Sequence, residues 1–127
     1  MPGSLMPKIS IITPSFNQAE FLEDTITSIL SQNYPNLEYI IIDGGSTDGS
    51  VDVIKKYAHK LAYWISEPDK GRGDALNKGF KHATGGIMSW LSSDDLYFPW
   101  TLSTIASVFS DLPWLEWLTS NIKIKST

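Results

Sequence analysis

The chain has 127 residues, enough for one domain at roughly 150 residues per domain and too few for two. With 42% hydrophobic, 12% aromatic and 19% charged residues it can build a core, which excludes disorder, and the lack of cysteine excludes disulfides, zinc-thiolate sites and thiol nucleophiles. Fourteen acidic residues against ten basic ones give a net charge of -4, the wrong sign for binding nucleic acid through its phosphates.

Met1 to Leu5 precede a second methionine, Met6, and residues 1–6 read as a leader outside a domain of 7–127. No apolar run reaches the roughly 20 residues that span a bilayer, and no basic stretch followed by an apolar one marks a signal peptide, so a soluble chain is expected. Lys8 to Thr13 (KISIIT) reads as a first strand. Gln18 to Gln32 places Phe21, Leu22, Ile26, Ile29 and Leu30 on one face, with Asn17 and Glu20 as a capping box and Pro35 as a stop, and reads as a helix. Leu37 to Ile42 is almost continuously apolar, as expected of a parallel strand covered on both faces. Helical spacing returns in Ser50 to Lys60, Asp74 to His82 and Pro99 to Ser110, with strand-like runs at Ala62 to Ser66 and Ile87 to Leu91 between them. Strands alternating with helices imply right-handed βαβ units: a three-layer α/β/α architecture around an open, mostly parallel sheet. Such sheets bind ligands at the carboxyl ends of their strands.

Three segments fall at those ends. Asp43-Gly44-Gly45-Ser46-Thr47-Asp48-Gly49 follows the second strand, and Asp43 there either accepts a base imide hydrogen or ribose hydroxyl, or closes a turn ahead of a helix that Asp48 caps. Glu67 to Asp74 carries Lys70, Arg72 and two glycines, and reads either as a pyrophosphate cradle at a helix N-terminus or as a mixed-charge loop. Ser92-Ser93-Asp94-Asp95 sets two adjacent carboxylates after the fourth strand, whose repulsion a divalent cation bridging to phosphates would relieve; the alternative is a solvated acidic loop. His59 and His82 close helical segments beside lysines and are expected to have no catalytic role. Trp100, Trp114 and Trp117, with Leu115 and Leu118, read as core. No Walker A or GxGxxG pattern occurs.

Three strings, ISIITPSFNQAEFLEDTITSILSQNYPNLEYIIIDGGSTDGS, WISEPDKGRGDALNKG and ATGGIMSWLSSDDLYFP, together resemble the donor-binding half of a family-2 glycosyltransferase of the GT-A fold, nucleotide-diphospho-sugar transferase type. The likeness runs from about Pro7 to about Thr119 and is nearest the branch that builds O-antigen and other bacterial surface polysaccharides. It implies transfer of a sugar from a nucleotide diphosphate donor, UDP-linked by preference, to a saccharide or lipid-linked saccharide hydroxyl with inversion. It also implies dependence on Mg²⁺ or Mn²⁺, and a cytoplasmic enzyme or one peripheral to the inner face of the cytoplasmic membrane. By position, Thr13, Pro14 and Asp43 would line the nucleoside pocket, Asp94 would approach the ribose or donor sugar, Asp95 would hold the metal, and Arg72 and Asp74 would border the donor.

Two departures stand out. Many members carry two consecutive acids where this chain has Asp43-Gly44, which leaves base recognition to Asp43 alone or to backbone groups, and Ser92 and Ser93 stand ahead of Asp94 where a DxD pattern would begin. Members also continue well past the metal motif, so the general base is expected beyond Thr127, since neither Asp111 nor Glu116 has a reason to reach the site. The chain is therefore read as the N-terminal portion of the fold that binds donor and metal, the alternative being a non-catalytic nucleotide-binding or self-association module, such as a homodimer built on the tail tryptophans.

Overall fold

The isoleucine-rich runs occupy the middle of the sheet because a strand covered on both faces needs apolar side chains pointing both ways. In the computed structural model, which describes residues 6–112 and 124–125, β1 (Ile9–Ser15) pairs in parallel with β2 (Leu37–Asp43) on one side and with β4 (Ile87–Trp90) on the other. β3 (Tyr63–Ser66) adds to the far side of β2, completing an all-parallel sheet in the order β3-β2-β1-β4. The register sets Ile11 against Tyr39 and brings Ser15 and Asp43 level at the carboxyl end.

Side-chain alternation then sorts the core into two layers. Ile9, Ile11, Tyr39 and Ile41 face α1 (Ala19–Leu30), α2 (Ser50–Tyr57) and α4 (Thr101–Asp111), packing on Leu22, Ile26, Ile29, Ile54, Leu102 and Ala106. Ile12, Ile40 and Ile42 face the other way, toward Ala75, Leu76 and Phe80 of α3 (Arg72–His82). The expected α/β/α layering is what the molecule adopts, and the four expected strands and four helices are all present, with ends that differ by a few residues.

Local differences have local causes. The helix expected over Ser50 to Lys60 tightens into a 3-10 turn at Ala58–Lys60. The Asn17–Glu20 capping box does not form: Asn17 adopts φ 50°, Gln18 takes the N-cap position without a side-chain bond, and Asp48 from the next loop accepts from the Ala19 N–H instead. Asp95–Leu96, expected as loop, forms a short strand β5 that pairs antiparallel with β6 (Ile124–Lys125). Trp100, expected in the core, is 59% exposed and stacks on Phe98, because it precedes the first turn of α4 and so lies outside that helix's apolar stripe. Trp114, Leu115, Glu116, Trp117 and Leu118 lie outside the described residues. Among those described, no helix is long and apolar enough to cross a membrane.

Candidate functional site

Each strand of a parallel sheet delivers its following loop to the same edge. Here Pro14 and Ser15 at the end of β1 with Phe16 after it, Gly44 after β2, Asp69, Gly71 and Arg72 after β3, and Ser92, Ser93 and Asp94 after β4 line one groove of about 430 Å³.

Asp43 is fully buried at this edge, and its carboxylate is spent on its own surroundings. Oδ2 accepts from the Gly45 and Ser46 N–H groups at 3.1 and 2.7 Å and from the Ser66 hydroxyl at 2.7 Å, while Oδ1 accepts from the Ser46 hydroxyl at 2.6 Å. Three donors fall on Oδ2 and one on Oδ1, the contacts of a residue that closes its turn. Asp48 caps α2 through the Ser50 N–H and hydroxyl as it caps α1 through Ala19, and the Ser50 hydroxyl, with those N–H groups, holds its carboxyl below the usual range. Thr13 is fully buried, its hydroxyl 2.8 Å from that of Tyr39, and it is not among the residues that line the groove. Burial in turn pushes the Tyr39 phenol well above its ordinary value.

The acidic segment is anchored from below. The buried Thr25 hydroxyl of α1 bonds the carbonyls of Ser93 and Asp95 at 2.9 and 2.7 Å, which fixes the backbone of both. Asp94 faces the groove, whereas Asp95 sits behind it at 4% exposure with Oδ1 lacking any hydrogen-bond partner among the described residues. Arg72 lines the groove with its guanidinium 5.5 Å from the centre of the Trp90 ring, a cation–π contact that holds a cation at the mouth. Asp74, next to it, turns away to accept from the Lys70 N–H and lies 3.9 Å from Lys78. His82 stacks on Tyr63, as a structural aromatic would.

Three groove residues were not singled out from sequence. Phe16 is 58% exposed, Ser15 is 5% exposed with a hydroxyl that has no partner among the described residues, and Asp69 reaches in from the β3–α3 loop. A large aromatic directly after a strand end was a usable signal for Phe16; the other two depend on how separate loops meet.

Residues 10–113 match the model of "Glycosyl transferase family 2". The chain belongs to that family. A Rickettsia typhi protein named as an uncharacterized glycosyltransferase is 42% identical over 93 residues, covering 73% of this chain and 29% of its own length. A Mycobacterium tuberculosis protein named likewise is 44% identical over 92 residues, covering 72% and 35%. Among solved structures, S. aureus TarS superposes with a TM-score of 0.74 at 27% identity over 82% of this chain and 32% of its own. The mannosyltransferase PcManGT from Pyrobaculum calidifontis, in complex with GDP-Man and Mn²⁺, gives 0.70 at 31% identity over 82% and 32%. The chain thus spans about a third of the length of these four proteins, and its sheet is of the GT-A type seen in these neighbours.

A divalent cation fits this family 2 site on the chemistry of its donors. An orphaned, buried carboxylate oxygen on Asp95 beside the groove-facing Asp94 is a hard-oxygen pair without its positive partner. No group of three acidic or histidine side chains suited to a metal occurs among the described residues. The rest of the coordination shell would therefore come from phosphate oxygens and water, the usual arrangement for Mg²⁺ and Mn²⁺.

Proposed function

We propose that the groove binds a nucleoside diphosphate sugar together with a divalent cation, and that the chain is the donor-binding part of an inverting glycosyltransferase of bacterial surface polysaccharide assembly. The observation that carries this reading is Asp95, buried with an oxygen that has no partner among the described residues, behind a groove made by the ends of four parallel strands. Asp94 and Asp95 would hold the cation, which when bound neutralises the charge that develops on the departing diphosphate. Arg72, held over Trp90, adds a fixed positive charge on the same leaving group. Phe16 offers an exposed ring on which a base can stack, and the free Ser15 hydroxyl offers a polar contact. UDP is the preferred nucleotide, and the acceptor is a saccharide or lipid-linked saccharide hydroxyl at the inner face of the cytoplasmic membrane. In the transfer, the acceptor oxygen forms its bond to the anomeric carbon as the sugar–phosphate C–O bond breaks, the electron pair leaves with the diphosphate, and the acceptor proton passes to a base.

Titration calorimetry with UDP- and GDP-sugars, with and without Mn²⁺ or Mg²⁺, tests the reading. Metal-dependent binding is expected, and Asp95→Ala is expected to abolish the metal dependence. Absence of metal-dependent heat with every donor, or binding unchanged in Asp95→Ala, would overturn it.

A further inference from the structure

We infer that Asp69 reads the nucleobase, accepting a hydrogen bond from a ring N–H of the uracil or guanine kind; the inference rests on the donor-binding role proposed above. Asp69 and Gly44 both line the groove, and the Asp69 carboxylate lies against the bare face of Gly44: a Cβ on Gly44 would meet both carboxylate oxygens at 3.1 Å. The two residues are a matched pair. Where a second acid might follow Asp43, this chain has a glycine, and the carboxylate that fills the resulting space comes from another loop.

Asp69 is also the acid in that part of the groove with acceptor capacity to spare. Asp43 has four internal donors, whereas Asp69 is fixed only through Oδ1, which accepts from the Gly71 N–H at 2.9 Å. No described donor meets Oδ2. A fixed carboxylate with a free oxygen beside a nucleotide's phosphates would repel the ligand unless it faced a donor, and Phe16 in the same groove supplies a ring face for the base. Uracil and guanine present a ring N–H on the pairing edge; cytosine and adenine present a lone pair at the corresponding ring nitrogen, which a carboxylate repels. Asp69 therefore sets base choice rather than sugar choice.

The test is calorimetry on the full chain with Mn²⁺ and UDP, GDP, CDP or ADP. Wild type is expected to favour UDP and GDP. Asp69→Asn keeps the Gly71 contact through its amide oxygen and is expected to lower the UDP:CDP affinity ratio by about tenfold or more. Gly44→Ala, which crowds the carboxylate without changing it, should lower UDP affinity in the same direction. The paired change Asp69→Gly with Gly44→Asp returns a carboxylate to the same space from the other loop and should restore the preference. A UDP:CDP ratio within about twofold of wild type in both Asp69→Asn and Gly44→Ala would overturn the role of Asp69 alone. Failure of the wild-type chain to bind any nucleotide would overturn the donor-binding reading and this one with it.

Discussion

Glu38 shows how much one half-buried carboxylate can weigh at the end of the sheet remote from the groove. Its side chain is 11% exposed; burial alone would push its carboxyl up, but the Ser10 hydroxyl at 2.6 Å, the Thr84 N–H and hydroxyl at 2.8 and 2.9 Å, and Lys8 at 3.4 Å outweigh that and bring it from 4.5 down to about 2. A folded-state value below the unfolded one stabilises the protein above pH 4.5, and that contribution is lost as pH falls from 4.5 toward 2. Its ceiling at neutral pH is roughly 3 kcal/mol. Glu38→Gln should therefore lower the urea midpoint at pH 7 and flatten its fall between pH 5 and pH 2; parallel pH profiles for variant and wild type would refute the assignment. The contacts of single residues separate what a sequence can show from what it cannot. Asp48 was legible as the cap of α2 because Ser50 lies two residues on, whereas its bond to Ala19 and that of Asp43 to Ser66 cross between loops and leave no local pattern. The bond of Thr13 to the Tyr39 hydroxyl crosses 26 positions, and the role proposed for Asp69 depends on a glycine 25 positions away in sequence, so neither shows in a local pattern.

At the scale of elements, α3 is the helix whose packing admits least change. Among the described residues it is the one helix on its face of the sheet, and Gly79 lets it approach so closely that a Cβ there would lie 2.6 and 2.8 Å from Ile12 Cγ2 and Cγ1. Gly73, in the first turn of the same helix, has nothing within 4 Å of its Cβ position. Helix propensity favours alanine over glycine by about 1 kcal/mol at either site, but overpacking costs about 1–3 kcal/mol. Gly73→Ala should therefore stabilise by several tenths of a kcal/mol and Gly79→Ala should destabilise, the two variants moving the urea midpoint in opposite directions. A stabilised Gly79→Ala would show that Ile12 yields easily. The elements themselves were legible because apolar runs and three- to four-residue spacing depend on local chemistry. Their ends were less so: the first turn of α1 is capped by Asp48 across a loop, and the Leu102 N–H of α4 donates to Gln32 Oε1, neither of which any local pattern encodes. β5 escaped notice for the same reason, since its partner β6 lies far along the chain.

For the whole molecule, the four strand ends meet at one groove but are joined to one another mainly through backbone and short polar contacts, so a ligand that bridges them adds stability by mass action. Asp95 makes the opposite contribution in the free protein: a buried carboxylate oxygen without a donor among the described residues, next to Asp94, costs free energy that a cation would recover. Two opposed effects follow from that single side chain. Mn²⁺ with UDP at about 100 times the dissociation constant should stabilise the wild type by about 2.7 kcal/mol, raising Tm on the order of 10 °C. Asp95→Asn, which keeps the shape and removes the charge, should raise the Tm of the free protein while losing most of the increment that Mn²⁺ adds to UDP. Differential scanning calorimetry on both proteins, with UDP alone, Mn²⁺ alone and the two together, separates these effects. If Asp95→Asn lowers the free Tm and keeps the full Mn²⁺ increment, the orphaned oxygen belongs to the fold and the cation is held elsewhere.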